Sequence, residues 1–287
     1  MRTHRTRILA LIAALGTVPV AAAVAQQAAQ PPKAPPTLKP SVVAAGENEA
    51  LPEAKEILAK AIDAMGGRQA FEEIKSVRIS ATVTAQGRDS QSTLKAILPD
   101  KVLVNQSYPN APIVVTMGRV GDVAWVDAMG RVQPADPKRL AQFLDLATIH
   151  RTVLDMEREY ETIETVGRES IAGQDCYKLR LAGKKEYAPT EGRGDRFAFF
   201  NVETGLLAVI DAPQQKSPQK RAISEYSDWE EFGKIKLFTK IDAKPSQAGT
   251  SKVVKLDDLA FNVVKDDAIQ LPESLQPAGG NEGSNAP

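Results

Sequence analysis

The sequence predicts a mainly β protein: a curled antiparallel sheet of about eleven strands, with one helix before it and one inserted among the strands. Three observations carry this. First, residues alternate with a period of two over Gly167–Ala243. Tyr177, Leu179 and Leu181 alternate with Cys176, Lys178 and Arg180, and Ile235, Leu237, Thr239 and Ile241 alternate with Lys234, Lys236 and Lys240. Second, Glu203-Thr204-Gly205, Gln214–Pro218 and Gly233 punctuate the runs as turns. Third, helical spacing occurs in two places, and a twisted antiparallel sheet of this length must curl. A curled sheet has a concave face, and the helices are its natural cover.

The first helix spans Leu51–Met65. Ile57, Leu58, Ala61, Ile62 and Met65 make one apolar stripe, Pro52 suits the first turn, and Gly66-Gly67 ends it. A phosphate loop would need Gly-Lys-Ser/Thr after the glycines, which is missing. A short turn, Arg68–Ile74, leads into Val77–Ala85. Strand runs follow at Thr93–Leu98, Lys101–Tyr108, Ile113–Arg119 and Val123–Asp127, with a short edge at Arg131–Val132. Pro99-Asp100, Pro109-Asn110 and Gly121-Asp122 supply turns. Pro137 to about Glu157 then has helical spacing, with the stripe Leu140, Phe143, Leu144 and Ala147 extended by Leu154. Tyr160–Ile171 precedes a meander of Asp175–Leu181, Arg196–Asn201, Leu206–Asp211, Ala222–Phe232 and Lys234–Ala243. Ser251–Val264 is a last strand or strand pair, and Ile269–Leu271 closes.

Residues 1–25 read as an export signal. Arg2, Arg5 and Arg7 precede the apolar Ile8–Val24, and Ala23-Val24-Ala25 has the small-x-small form that makes Gln26 the first mature residue. An uncleaved anchor is the alternative, but the run is short and Gly16 and Pro19 interrupt it. No Cys follows the site to carry a lipid. Residues 26–48 (Ala, Pro, Gln) and 275–287 (Gly, Asn, Ser, Pro) are expected to be disordered, leaving one β domain over 49–274. The chain has 36 basic and 36 acidic residues; removing the three signal arginines leaves 33 against 36, about −3. Such a surface with no basic block suits neither nucleic acid nor anionic membrane. The single Cys176 allows no internal disulfide and leaves an intermolecular one open.

A family resemblance rests on ordered features: a helix ending Ala64-Met65-Gly66-Gly67, a strand leaving at Ile74-Lys75-Ser76-Val77, and a Gly-x-x-x-Tyr-x-Leu strand from Gly173 to Leu179. An aromatic strand and turn follow, from Phe199 through Glu203-Thr204-Gly205 to Leu207, then a Tyr-x-x-Trp hairpin from Tyr226 to Trp229, turning at Gly233. Over roughly Pro52–Leu271 the chain resembles the periplasmic LolA-like superfamily, which contains the outer-membrane lipoprotein carrier. The resemblance implies an unclosed half-barrel of about eleven antiparallel strands, helices at its opening, and an apolar hollow for acyl chains. Polar insertions at Lys184–Asp195 and Pro213–Lys220 depart from a simple carrier.

The candidate ligand-contacting residues of such a hollow are Trp125, Leu140, Phe143, Leu144, Tyr177, Leu179, Phe197, Phe199 and Leu237; Trp229 is read as fixing the late hairpin. No catalytic kit stands out. His150, the one His after the signal, cannot make a zinc motif and lies at a helix end, where it reads as structural or surface. The adjacent acids Glu230-Glu231, Asp257-Asp258 and Asp266-Asp267 should point to opposite faces, as strand neighbours do. Arg193-Gly194-Asp195 reads as a polar turn rather than an adhesion motif. No metal or cofactor is expected. The leading expectation is an exported, non-enzymatic binding protein in the periplasm, holding an acyl chain, lipid or lipoprotein, with export beyond the cell left open. The alternative is a sensor or scaffold binding another envelope protein; a hydrolase resting on His150 ranks below both. No membrane insertion is expected after signal cleavage.

Overall fold

A computed structural model describes residues 50–109, 111–136, 140, 146–183, 195–214, 217–245 and 251–276. The export signal, the 26–48 spacer, residues 277–287 of the tail, Phe143, Leu144 and Arg193-Gly194 lie outside these.

Helix α1 (Ala54–Ala64) begins with a capping box, in which the Glu53 and Glu56 side chains each take the other's orphan backbone N–H. Its buried stripe is Ile57, Leu58, Ala61 and Ile62, as the spacing predicts. After Gly66-Gly67 comes the short helix α2 (Arg68–Glu72), with Phe71 buried. The strands are β1 (Ser76–Ala85), β2 (Arg88–Ile97), β3 (Lys101–Tyr108), β4 (Ala111–Val120), β5 (Val123–Ala128) and β6 (Arg131–Pro134). After a connecting segment come β7 (Tyr160–Ile171), β8 (Gln174–Gly183), β9 (Arg196–Asn201), β10 (Leu207–Gln214), β11 (Ser217–Phe232), β12 (Ile235–Pro245) and β13 (Lys252–Phe261).

All thirteen join one antiparallel sheet in the order β6-β5-β4-β3-β2-β1-β13-β12-β11-β10-β9-β8-β7. Two meanders meet where the first strand pairs with the last, and β6 and β7 are the free edges of an unclosed sheet. Thirteen strands replace the expected eleven or so. Tight turns let every alternating run fold back as its own strand, including the four-residue edge β6, and β13 is one strand rather than a pair. The expected polar insertion at Pro213–Lys220 is mostly strand: β10 runs to Gln214 and β11 starts at Ser217.

The inserted helix is also revised. Leu140, Leu146 and Ala147 are helical, but the chain then turns at Thr148, makes a 3-10 turn over Ile149–Arg151, and re-forms as the four-residue helix α3 (Met156–Glu159). Thr148, Ile149, Thr152 and Val153 are β-branched and weak helix formers. The Thr152 hydroxyl donates to the Ile149 carbonyl at 2.6 Å, which fixes the tight turn.

One face of the sheet is the core. Val77, Ile79, Ala81 and Val83 of β1, Leu94 of β2, Val104 of β3, Met117 of β4, Leu179 of β8, Phe200 of β9, Ile241 of β12 and Leu256 of β13 share one cluster with the α1 stripe. The connecting segment joins it through Leu140, Leu146, Ala147, Ile149, Val153, Leu154 and Met156, all buried. The sheet is curled around this cluster. Tyr160 of β7 and Tyr226 of β11 belong to this one buried cluster, although four strand spacings in a flat sheet would hold them about 19 Å apart. A smaller cluster, Cys176, Phe199, Ala208 and Val209, lies apart from the main core.

Candidate ligand-binding site

The β12–β13 ladder runs from Lys240↔Lys255 to Ala243↔Lys252 and then stops, so Ile235–Thr239 and Leu256–Phe261 diverge into a fork. Two distortions lie at this level. Asp257 is bulged out of β13 between Ser80↔Asp258 and Ala81↔Leu256. Asp228 of β11 sits at φ +55°, with its carbonyl accepting the Thr239 hydroxyl at 2.7 Å. The end of α1 fills the top of the fork. The Lys236 N–H donates to the Met65 carbonyl at 2.9 Å, replacing a missing ladder bond. Gly66, at φ +114°, lies so close to β12 that a Cβ there would sit 2.0 Å from the Lys234 carbonyl oxygen.

Below this wedge is a pocket of about 380 Å³. Its walls are Ala70 and Ile74 from the α2 side, Phe232 and Ile235 from the β11–β12 hairpin, and Leu259 and Phe261 from β13. Ile74, Ile235 and Leu259 also belong to the main core, so the pocket is continuous with the inner face. Lys234 and Glu73, also on the wall, pair at 3.5 Å and are largely exposed, an arrangement of small stabilising value. Asn262, at φ +60°, clamps the floor. Its side-chain oxygen accepts the Lys75 N–H at 2.7 Å, and its amide donates to the Glu73 carbonyl at 3.2 Å.

The back of the site is aromatic. His150 is fully buried; its ring stacks on Phe71 with centroids 6.2 Å apart and meets Phe261 edge-on at 5.3 Å. The connecting segment is thereby tied to α2 and to β13, and His150 is a packing residue rather than a surface one. Tyr226 and Trp229 both approach Phe238 edge-on, at 4.7 and 5.4 Å, so Trp229 does pack in the late hairpin.

Among solved structures, a LolA superfamily protein from Nitrosomonas europaea matches with a TM-score of 0.51 at 16% identity, over 77% of this chain and 99% of that one. The chain has the LolA-like fold. A DUF1329 family protein from Desulfovibrio piger is also similar, with a TM-score of 0.47 at 18% identity, over 75% of this chain and 95% of that one. No protein-family model and no curated protein matches the sequence.

Within this LolA-like fold the nine candidate contact residues divide. Leu140, Leu179 and Leu237 lie in the main core, and Tyr177 packs against it. Phe199 is in the separate small cluster, with Phe197 packed against that cluster, so these two rings lie on the opposite face from Ala198 and Phe200. Lys178 caps them, its ammonium 4.7 Å from the Phe197 ring and 5.5 Å from Phe199. Trp125 is buried on the opposite face from Ala124. It lies over Gly118 of β4, where an added Cβ would come within 2.0 Å of the indole. Trp125, Phe197 and Phe199 are therefore not brought together with the inner-face set. Phe143 and Leu144 are outside the described residues.

Two of the remaining polar candidates, Asp257 and Asp258, have structural partners. Asp257 and Asp258 do not point to opposite faces, because the bulge turns both to the outer side of β1. Asp257 accepts the Thr82 hydroxyl at 2.7 Å, and Asp258 pairs with Arg78 at 3.0 Å. Cys176 is fully buried, and burial, followed by the charges of Asp175 and Glu169, pushes its thiol up to about 12. A thiol so placed stays protonated and cannot reach another chain. Among the described residues no three His, Cys, Asp or Glu side chains are placed to hold a metal ion, and no helix is long and apolar enough to cross a membrane.

Proposed function

We propose that this is a non-enzymatic binding protein of the cell envelope that holds an acyl chain or similar apolar ligand against the inner face of its sheet. The observation that carries the reading is the fork pocket. It is of ligand size, lined mainly by apolar and aromatic side chains with a few polar groups, and continuous with the core. Leu140, Tyr177, Leu179 and Leu237 are inner-face contacts in this reading, and Phe143 and Leu144 are proposed as further ligand contacts on sequence grounds alone. Residues 1–25 would export the chain to the periplasm, where the cargo would be a lipid or the acyl chains of a lipoprotein.

Ala70 lines the pocket from the exposed side of α2 and is itself only partly buried, so a large side chain there fills the pocket without opening the core. In a fluorescent fatty acid titration the mature protein is expected to show saturable uptake. Ala70→Trp should weaken it by about tenfold or more, a change of about 1.4 kcal/mol, while leaving the melting temperature near that of the parent. Absence of saturable uptake by the parent protein would remove the reading. Unchanged affinity in Ala70→Trp would move the ligand away from the fork.

A further inference from the structure

The inner face carries a buried cation that the apolar-ligand reading leaves unused. Arg196 opens β9, on the same side as Ala198 and Phe200, and is 7% exposed. Its Nη1 donates to the Tyr160 hydroxyl at 3.0 Å. Tyr160 is the first residue of β7, so this contact lies at a terminal strand of the sheet. Tyr226 of β11, 3% exposed, is buried in the same inner-face cluster as Tyr160. Among the described residues no carboxylate pairs with Arg196, and its neighbours on this face are apolar: Leu181 across the ladder and Ala198 along the strand.

A guanidinium presents five N–H donors in a rigid fork, and one phenol oxygen answers few of them. Burying such a charge without a counter-charge is costly, and an incoming anion removes that cost. We propose that Arg196, Tyr160 and Tyr226 form an anion-recognition site for the carboxylate of a long-chain fatty acid whose tail lies along the inner face. The proposal rests on the binding function above and names its ligand class. The two carboxylate oxygens match parallel N–H groups of Arg196, and each phenol has a proton to donate. Burial raises both tyrosines above their ordinary range, so both hydroxyls remain protonated at neutral pH. Phe232, at the fork pocket, is six residues further along β11 from Tyr226, about 20 Å of strand. A head group at Arg196 therefore directs a long chain toward the fork.

The test is competition against a fluorescent fatty acid by palmitate, methyl palmitate and palmitoyl lysophosphatidate, on the mature protein and on Arg196→Met, Arg196→Lys and Tyr226→Phe. The parent protein is expected to bind palmitate about 10- to 100-fold more tightly than its methyl ester, the range for hydrogen bonds to a charged group. Arg196→Met should abolish that preference by weakening palmitate alone, with methyl palmitate serving as its folding control. Arg196→Lys, which keeps the charge and loses the fork, should retain part of it, and Tyr226→Phe should reduce it less. Equal binding of palmitate and its ester by the parent protein overturns the anion site while leaving the apolar-ligand reading standing. Tighter binding of lysophosphatidate than of palmitate overturns the carboxylate assignment in favour of a phosphate. Failure of the parent to bind any of the three removes the binding function together with the site.

Discussion

Phe71→Ala is expected to lower the stability of the protein by about 3–5 kcal/mol, the cost of truncating a fully buried phenylalanine. Thermal unfolding followed by circular dichroism should show a fall of about 6–20 °C for a domain of this size. The ring is fully buried and does three things at once. It anchors the five-residue α2, which is too short to hold itself. It stacks on His150 and so ties down the segment between the free edges β6 and β7. Through His150 it also reaches Phe261, beside the fork pocket. Replacement should therefore raise the ligand off-rate as well as lower the melting temperature. A loss below about 1 kcal/mol, within the range of ordinary surface changes, would mean that the connecting segment is held loosely and acts as a lid rather than as part of the core.

Gly66→Ala should be comparably damaging for a different reason. No side chain is lost; one atom is added where there is no room, 2.0 Å from the carbonyl oxygen of Lys234 in the turn before β12, at a φ of +114° that other residues avoid. Strain of this kind costs about 1–3 kcal/mol before the clash is relieved. Relief requires α1 to move off β12, which breaks the Lys236–Met65 hydrogen bond and leaves those backbone groups unpaired, adding about 1–3 kcal/mol. Gly233→Ala is the control. It has a left-handed φ of +66° but open space around the new Cβ, so about 1–2 kcal/mol is expected. Equal melting losses for the two variants would show that α1 does not wedge the fork.

The architecture was largely legible because alternation and turn chemistry are local. The α1 stripe and the late hairpin both lie where spacing places them. Facing was less legible. The stretch Arg196–Asn201 is apolar on both sides, so period two defines two faces without saying which is inner. Phe197 and Phe199 are the candidates by sequence, whereas the structure turns Ala198 and Phe200 inward and packs the other two rings on a second small cluster on the opposite face. Trp125 also faces away from the main core, and Gly118 is the usable signal: a strand glycine opposite a tryptophan makes room for its ring on their shared face. Arg196 has no distinguishing local signal, because a basic residue at a strand start ordinarily reads as exposed. The fork had no local signature at all. It lies at the level of a bulge at Asp257 of β13 and a left-handed residue at Asp228 of β11, and both depend on pairing between distant strands.

Photo-crosslinking tests the central claim most directly. A fatty acid carrying a photoreactive group near its terminal carbon would be bound to the mature protein, activated, and mapped by peptide mass spectrometry. The account predicts adducts on residues of the fork pocket, among them Phe232, Leu259 and Phe261, suppressed by excess palmitate. Adducts confined to the outer-face rings Trp125, Phe197 and Phe199, or labelling that palmitate does not suppress, would contradict it.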